Sequence, residues 1–471
     1  MKRDVALSHL RHGYGTAFRA PVVMLAARGA CRRASTRWIV ALGGTRDAVA
    51  DASVVAVRVG RCGPDTLHPR YDHRHPQRRS FAAHSAAVDT HTQTELNDVI
   101  DDDKFPAVDP FSLVRSELAA ISERMRRAVT SDIPALKTAA EYFFRTGSEG
   151  KRVRPTVLLL MASALGEGDL NSSVDMNSAG HTADDLFTPD HAPAHETPNS
   201  TRRRQQRLAE VTELIHVASL LHDDVIDGSA TRRGLKALNL EVGNKLAILA
   251  GDFLLARSSV TLASLRNVEV IELLSRVLEH LVTGEVMQMT AKPESLTSWE
   301  HYTRKTYLKT ASLIANSSKA VAILGGHESE TSQLAYDYGK HLGLAFQFTD
   351  DVLDFTGSNS ILGKPTLGDL NEGIATAPVL FAAEEFPGLL PLIGRRFRNS
   401  GDVEQAAQWV RNSSGVEKTK QLAKQHALFA IQAVDAMPVV SNNLDESSKE
   451  QQRQCRRALM ELARVAVERI K

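Results

Sequence analysis

From about Phe111 onward, apolar side chains recur three and four positions apart, the spacing that lines one face of an α-helix. FSLVRSELAAISERMRRAV, RPTVLLLMASAL, RLAEVTELIHVASLLHDDVID, GNKLAILAGDFLLARSSVTLASL and VIELLSRVLEHLVTGEVMQM all follow it. Alternation of period two, the mark of a half-buried strand, is scarce. The pattern predicts an all-α chain. One stretch interrupts it: Gly166 to Asn199 is polar, with Pro, Gly and Asn, and reads as a long loop, a disordered surface excursion inserted between two core helices.

Ahead of Phe111 the periodicity fades. Residues 1–46 carry Lys2, Arg3, Arg11, Arg19, Arg28, Arg32, Arg33, Arg37 and Arg46 against a single acid, Asp4, with Ala and Ser between them. That composition fits an organelle transit peptide, mitochondrial in the first instance with plastid as the alternative. Residues 47–108 are rich in His, Arg, Thr and Asp and read as a flexible or processed linker. The folded region is then 109–471.

The length of 471 residues allows one large domain or two to three ordinary ones, and the formal net charge of +1 gives no bias toward nucleic acid. Any electrostatic specialisation must be local. Cys31, Cys62 and Cys455 are scattered and show no metal-ligand spacing, which points to a reducing compartment without structural zinc. No uninterrupted apolar run reaches the roughly 20 residues needed to cross a bilayer.

The local charge lies in a pattern that occurs twice. HDDVIDG holds Asp223, Asp224 and Asp227, and FQFTDDVLDFTG holds Asp350, Asp351 and Asp354. Positions four apart share a helix face, so Asp223 stands over Asp227 and Asp350 over Asp354, two carboxylate ladders. A single DDxxD is as readily a solvated acidic helix end. Here both ladders emerge from strongly apolar helices, and like charges brought together in such surroundings need cations.

Oxygen ligands without His or Cys favour Mg²⁺, which binds through one or two carboxylates plus phosphate oxygens and water. Two facing ladders suggest a cage for a metal-bound diphosphate. Basic residues stand near the motif ends: Lys151 and Arg154 in GKRVRP, Arg232 and Arg233 in TRRG, Lys309 in YLKT, and Lys364 in LGKP. Six aspartates and a diphosphate of about −3 are balanced by three Mg²⁺ together with Lys309, Lys364 and Arg232.

GKRVRP, HDDVID followed by four residues and RRG, AGDFLLAR, GEVMQM, YLKTASL, FQFTDDVLDFTG and LGKPTLGDL, in this order, resemble the trans-type polyprenyl diphosphate synthases. The run RRRQQRLAEVTELIHVASLLHDDV is most similar to the plant-type solanesyl branch. The resemblance covers about 109–471. It implies an all-α bundle with the two acidic helices facing across a deep central cavity, in a homodimer.

By the same resemblance, Asp223, Asp227 and Asp350 are Mg²⁺ ligands, while Asp224, Asp351 and Asp354 act partly through water. Arg232, Lys309 and Lys364 grip an allylic diphosphate primer, farnesyl or geranylgeranyl. Lys151, Arg154, His216 and Arg233 form the pocket for isopentenyl diphosphate, although His216 taken alone reads more readily as a satisfied core histidine. Thr310 and Gln347 orient oxygens toward a carbocation formed when the primer's C–O bond ionises. The double bond of isopentenyl diphosphate attacks that cation, and loss of a proton leaves an allylic diphosphate five carbons longer.

The tail grows along the helix of the first ladder. Short-chain relatives place an aromatic floor where this chain has Ala218 and Ser219, with Ile215 a turn deeper. A product of nine isoprene units extends about 40 Å, comparable to a helix of about 25 residues. Solanesyl or decaprenyl diphosphate for a ubiquinone side chain is the expected product, with peripheral membrane association at product release left open. A geranylgeranyl-type enzyme is opposed by those small residues, a non-catalytic subunit by retention of both ladders, and a terpene cyclase by the second DDxxD. Gly228, Glu149 and Gly373 depart from the family pattern.

Overall fold

The computed structural model describes residues 108–129, 132–134, 136, 142, 150–166, 201–232, 235–357, 367–438 and 445–468. The presequence, nearly all of the linker, the insertion beyond Gly166, and the predicted binding residues Arg233 and Lys364 lie outside them. Among the described residues the only strands are β1 (Thr231–Arg232) and β2 (Leu235–Lys236), an antiparallel pair with Arg232 opposite Leu235. Everything else regular is helical, as the three-and-four spacing predicts.

The principal helices are α1 (Arg115–Ala128), α2 (Val153–Leu165), α3 (Thr201–Ile226), α4 (Asn244–Ser264) and α5 (Val268–Thr290). They continue with α6 (Trp299–Thr306), α7 (Ser312–Leu324), α8 (Ser329–Thr356), α9 (Ala377–Glu385), α10 (Gly415–Asp435) and α11 (Glu446–Glu468). Starts follow local chemistry: Asn267 accepts from the Val270 N–H at 3.0 Å and Ser298 from the His301 N–H at 3.3 Å, satisfying amides that have no partner inside the helix. α1 buries only Ile121 and Met125, one face four residues apart, as expected of an outer helix. α2 and α7 are buried almost all round. They are core helices: α7 packs against α2, α3, α5 and α8, and α2 against α3, α7 and α11.

α8, with 28 residues, runs roughly 42 Å and packs on α7 at one side and α10 at the other. Two glycines four apart let it approach closely. A Cβ at Gly339 would lie 2.6 Å from the Ile314 carbonyl oxygen, and one at Gly343 2.7 Å from the Ala311 Cα. Between α6 and α7 the chain makes a π-helical turn, Tyr307–Ala311. Such turns carry one residue more per turn than an α-helix and are frequent at functional sites. This one holds Lys309 and Thr310.

α4 is long and apolar enough, by length and mean hydropathy, to cross a membrane, although Lys245, Asp252 and Arg257 interrupt it. Only part of it is buried against α3.

Candidate functional site

The last turns of α3 and α8 carry the two aspartate rows, and each row splits by depth in a similar way. Asp223 is half-buried, Asp224 is 1% exposed, and Asp227 is exposed; Asp350 is exposed, Asp351 is 1% exposed, and Asp354 is half-buried. The middle carboxylate of each row points into protein and is satisfied there. Asp224 accepts from Arg232 Nε at 2.9 and 2.7 Å and from Nη2 at 2.6 Å. Asp351 accepts from the Tyr302 hydroxyl, from Gln347 Nε2 at 2.9 Å and from the Ala377 N–H at 3.2 Å.

Asp354 has a third task. Its carboxylate accepts from the Gly368 N–H at 2.8 Å and the Asp369 N–H at 3.3 Å, fixing the segment that returns after the second row. Asp227 and Asp350 are exposed and Asp223 half-buried, and these are the three that the sequence nominates as direct ligands.

Both rows reach one cavity of about 170 Å³. Asp227 lines it from α3, Gln347 and Asp351 from α8, and Lys309 and Thr310 from the π turn. Thr310 donates to Gln347 Oε1 at 2.9 Å, so hydroxyl, amide, carboxylate and the Tyr302 phenol form one chain of hydrogen bonds. That chain holds polar oxygens rigidly at the wall. Lys309 is ion-paired with Glu285 of α5. Gly284 makes this possible, because a Cβ there would come within 2.7 Å of Lys309 Cγ.

The electrostatics are those of a site overloaded with negative charge. Burial, with Glu285 and Asp227 adding and Lys309 and Arg232 opposing, pushes the Asp223 carboxyl up to about 6. Burial raises Asp351, and Asp369 is raised well above the usual carboxylate range by burial and by Asp351 and Asp354. A cation in the cavity would relieve this. Among the described residues no three carboxylate, imidazole or thiolate groups converge to hold a metal by themselves. The donor set fits Mg²⁺, which takes few protein ligands and completes its octahedron from phosphate and water.

Not every nominated residue meets at this cavity. Lys151 is exposed before α2, Arg154 is partly buried in its first turn, and His216 is partly buried on α3; none of them lines it, and neither do Asp223, Asp350 or Arg232. Ala218 is fully buried on α3, while Ser219 is half-buried and donates to the His216 carbonyl at 2.9 Å. Most of the other lining or neighbouring residues escape the sequence reading, among them Glu285, Tyr302, Lys305 and Asp369. The i, i+4 spacing of Lys305 and Lys309 is the one signal that could have revealed any of them.

Comparison with known proteins identifies relatives of the whole folded region. The profile of the family described as Polyprenyl synthetase matches residues 133–410. The chain is 50% identical over 363 residues to the mitochondrial solanesyl-diphosphate synthase 1 of Oryza sativa subsp. japonica, covering 77% of this chain and 79% of that one. It is 40% identical over 329 residues to the all trans-polyprenyl-diphosphate synthase PDSS1 of Homo sapiens, covering 70% and 72%. Among solved structures, the apo form of an Arabidopsis medium/long-chain length prenyl pyrophosphate synthase matches with TM-score 0.58 at 40% identity, over 77% of this chain and 100% of that one. A polyprenyl synthase from Caulobacter crescentus, complexed with calcium and isoprenyl diphosphate, matches with TM-score 0.61 at 30% identity, over 76% and 96%.

Proposed function

The chain belongs to the polyprenyl synthetase family, and from that premise we infer that it is a long-chain all-trans polyprenyl diphosphate synthase of the solanesyl or decaprenyl type. It is a prenyltransferase that works in the mitochondrion and supplies a ubiquinone side chain. The observation that carries this reading is the single cavity lined by carboxylates of both aspartate rows together with Lys309, Thr310 and Gln347. Nothing in a merely structural helix bundle asks for that convergence.

Enzymes of the family depend on Mg²⁺, which supplies charge neutralisation for the departing diphosphate; three ions per site match the charge balance of the rows. Asp223, Asp227 and Asp350 would hold them. Lys309 and Arg232 bind the diphosphate of the allylic primer. As the allylic C–O bond breaks, the fixed oxygens of Thr310 and Gln347 face the developing cation, and preorganisation of such dipoles lowers the barrier without reorientation. Lys151, Arg154, His216 and Arg233 bind isopentenyl diphosphate, and Lys364 completes the grip on the primer.

Product length is governed by Ala218 and Ser219, which leave the route beside α3 without an aromatic floor. Catalysis occupies residues 109–471, with 1–46 as presequence, 47–108 as linker and 166–199 as a surface insertion.

We place the enzyme in a homodimer. Val282, Val286 and Met289 stand exposed at four- and three-residue spacing on α5, and Ile248, Leu249 and Val260 are exposed on α4. Apolar stripes on two consecutive helices suit a second copy of the chain. Release of so long a product favours peripheral contact with a membrane.

One assay tests the function. The purified chain, given Mg²⁺, labelled isopentenyl diphosphate and farnesyl or geranylgeranyl diphosphate, should yield polyprenyl diphosphates near nine or ten isoprene units on reversed-phase thin-layer plates. No extension of any primer would overturn the reading, and a product stopping at geranylgeranyl length would make it a shorter-chain enzyme.

A further inference from the structure

We propose that Lys305 is a further diphosphate-binding group of the cavity, receiving a phosphate oxygen beside Lys309. The inference deepens the reading of the chain as a prenyl diphosphate synthase and rests on it.

Three observations converge on this side chain. Lys305 lines the main cavity and also a smaller one of about 20 Å³ that it shares with His301, Tyr302 and Arg396. It stands one turn before Lys309, and the intervening π turn still leaves both on the wall of one cavity. Among the described residues it has no hydrogen-bond or ion-pair partner. Its ammonium lies 5.4 Å from the centroid of the Tyr302 ring, a cation–π contact and nothing stronger.

That isolation distinguishes it from its neighbours. Lys309 is paired with Glu285, and Arg232 with Asp224. An arriving diphosphate must compete with a protein carboxylate for either. Lys305 offers three N–H donors with no such competitor.

Asp351, which lines the same cavity, is already engaged, since it accepts from Tyr302, Gln347 and the Ala377 N–H, and Asp369 on the same wall forms no ion pair with Lys305. A partly buried ammonium without a partner is unfavourable in a folded protein. Its position is explained if an anion completes it. A diphosphate, multiply charged and rich in acceptor oxygens, is the anion this cavity already requires.

A second explanation is that Lys305 serves only as a counter-charge to Asp351 and Asp369. The two roles separate experimentally. The full chain is compared with Lys305→Gln and Lys305→Arg by calorimetric titration with inorganic diphosphate in Mg²⁺, and by steady-state kinetics with each substrate varied. Loss of a charge-assisted hydrogen bond to phosphate corresponds to about 10–100-fold in affinity. Lys305→Gln should therefore weaken inorganic diphosphate by that factor and raise the KM of the allylic primer similarly, with the KM of isopentenyl diphosphate within about twofold, and Lys305→Arg should recover most of the loss. Lys305→Met, which removes the charge and keeps an apolar stem, provides the same comparison if the glutamine variant folds poorly.

Unchanged diphosphate affinity in a folded neutral variant overturns the proposal. So does equal weakening for both substrates without recovery by arginine, the result expected of a counter-charge. If the wild-type chain binds inorganic diphosphate with Mg²⁺ through Lys305 but extends no primer, the subsite stands and the catalytic reading falls.

Discussion

Arg232 clasps Asp224 with three hydrogen bonds of 2.9, 2.7 and 2.6 Å, and the carboxylate that it holds is 1% exposed. The pair ties the β1–β2 hairpin to the end of α3. Asn239 reinforces the same junction by donating to the Asp224 and Ser229 carbonyls at 3.1 and 3.3 Å. Within the first aspartate row, the middle residue is thus a buried anchor, while Asp223 is half-buried and Asp227 exposed.

Removal of this anchor should be felt first in stability. Asp224→Ala leaves a mostly buried guanidinium without its partner, and breaking such a pair costs about 3 kcal/mol. Urea denaturation followed by circular dichroism checks this. A midpoint equal to that of the wild type would mean that the clasp contributes nothing to folding.

The outward aspartates should behave in the opposite way. Asp223→Ala and Asp350→Ala delete proposed metal ligands and should lower turnover by about 10²–10³, the scale of losing one preorganised electrostatic group, with little change in unfolding midpoint. Near-normal turnover in either variant would refute the metal cage.

Chain length gives a third expectation. Ala218 is fully buried on α3, one turn below the first row. Ala218→Phe puts a ring across the route of the tail, and the product should shorten by several isoprene units. Chromatography of the dephosphorylated alcohols reads this directly, and an unchanged ladder of products would place the tail elsewhere.

Acid stability supplies a fourth. His341 of α8 and His426 of α10 meet Nδ1 to Nδ1 at 2.8 Å, with the Phe348 ring against His426 and the Phe429 ring beside both. Burial lowers His341 to about 4 and His426 to about 3 from the ordinary 6.5. The unfolded chain therefore takes up protons in a window where the folded chain does not. Stability should be complete above pH 6.5 and decline as pH falls toward 4 and then 3. His426→Phe should flatten that acid slope in thermal melts; a slope as steep as the wild type's would assign it to other groups.

The helices and both aspartate rows were legible in the chain because each depends on local periodicity: apolar residues at three and four, carboxylates at one and four. What the rows do with their depth was not. The sequence treats Asp224 and Asp351 as acting partly through water on the metal; the fold adds that Asp224 is held by Arg232 and Asp351 by Tyr302, Gln347 and the Ala377 N–H, with Tyr302 49 positions away along the chain. Glu285 was hidden for the same reason, since its importance is its ion pair with Lys309 on another helix. Gly228, a departure from the family's usual amide or acid, has φ +62 where α3 ends. Asparagine tolerates that left-handed conformation as well, so the two residue types answer one backbone demand.

The π turn at Tyr307–Ala311 has a consequence for how this site can be lost or remade. Each residue in an α-helix advances the azimuth by about 100°, so excising one residue from the turn would re-phase the preceding segment against everything that follows it. Lys305 would swing off the wall while α7 kept its bed among α2, α3, α5 and α8. A one-codon deletion would thereby silence the chemistry and spare the architecture.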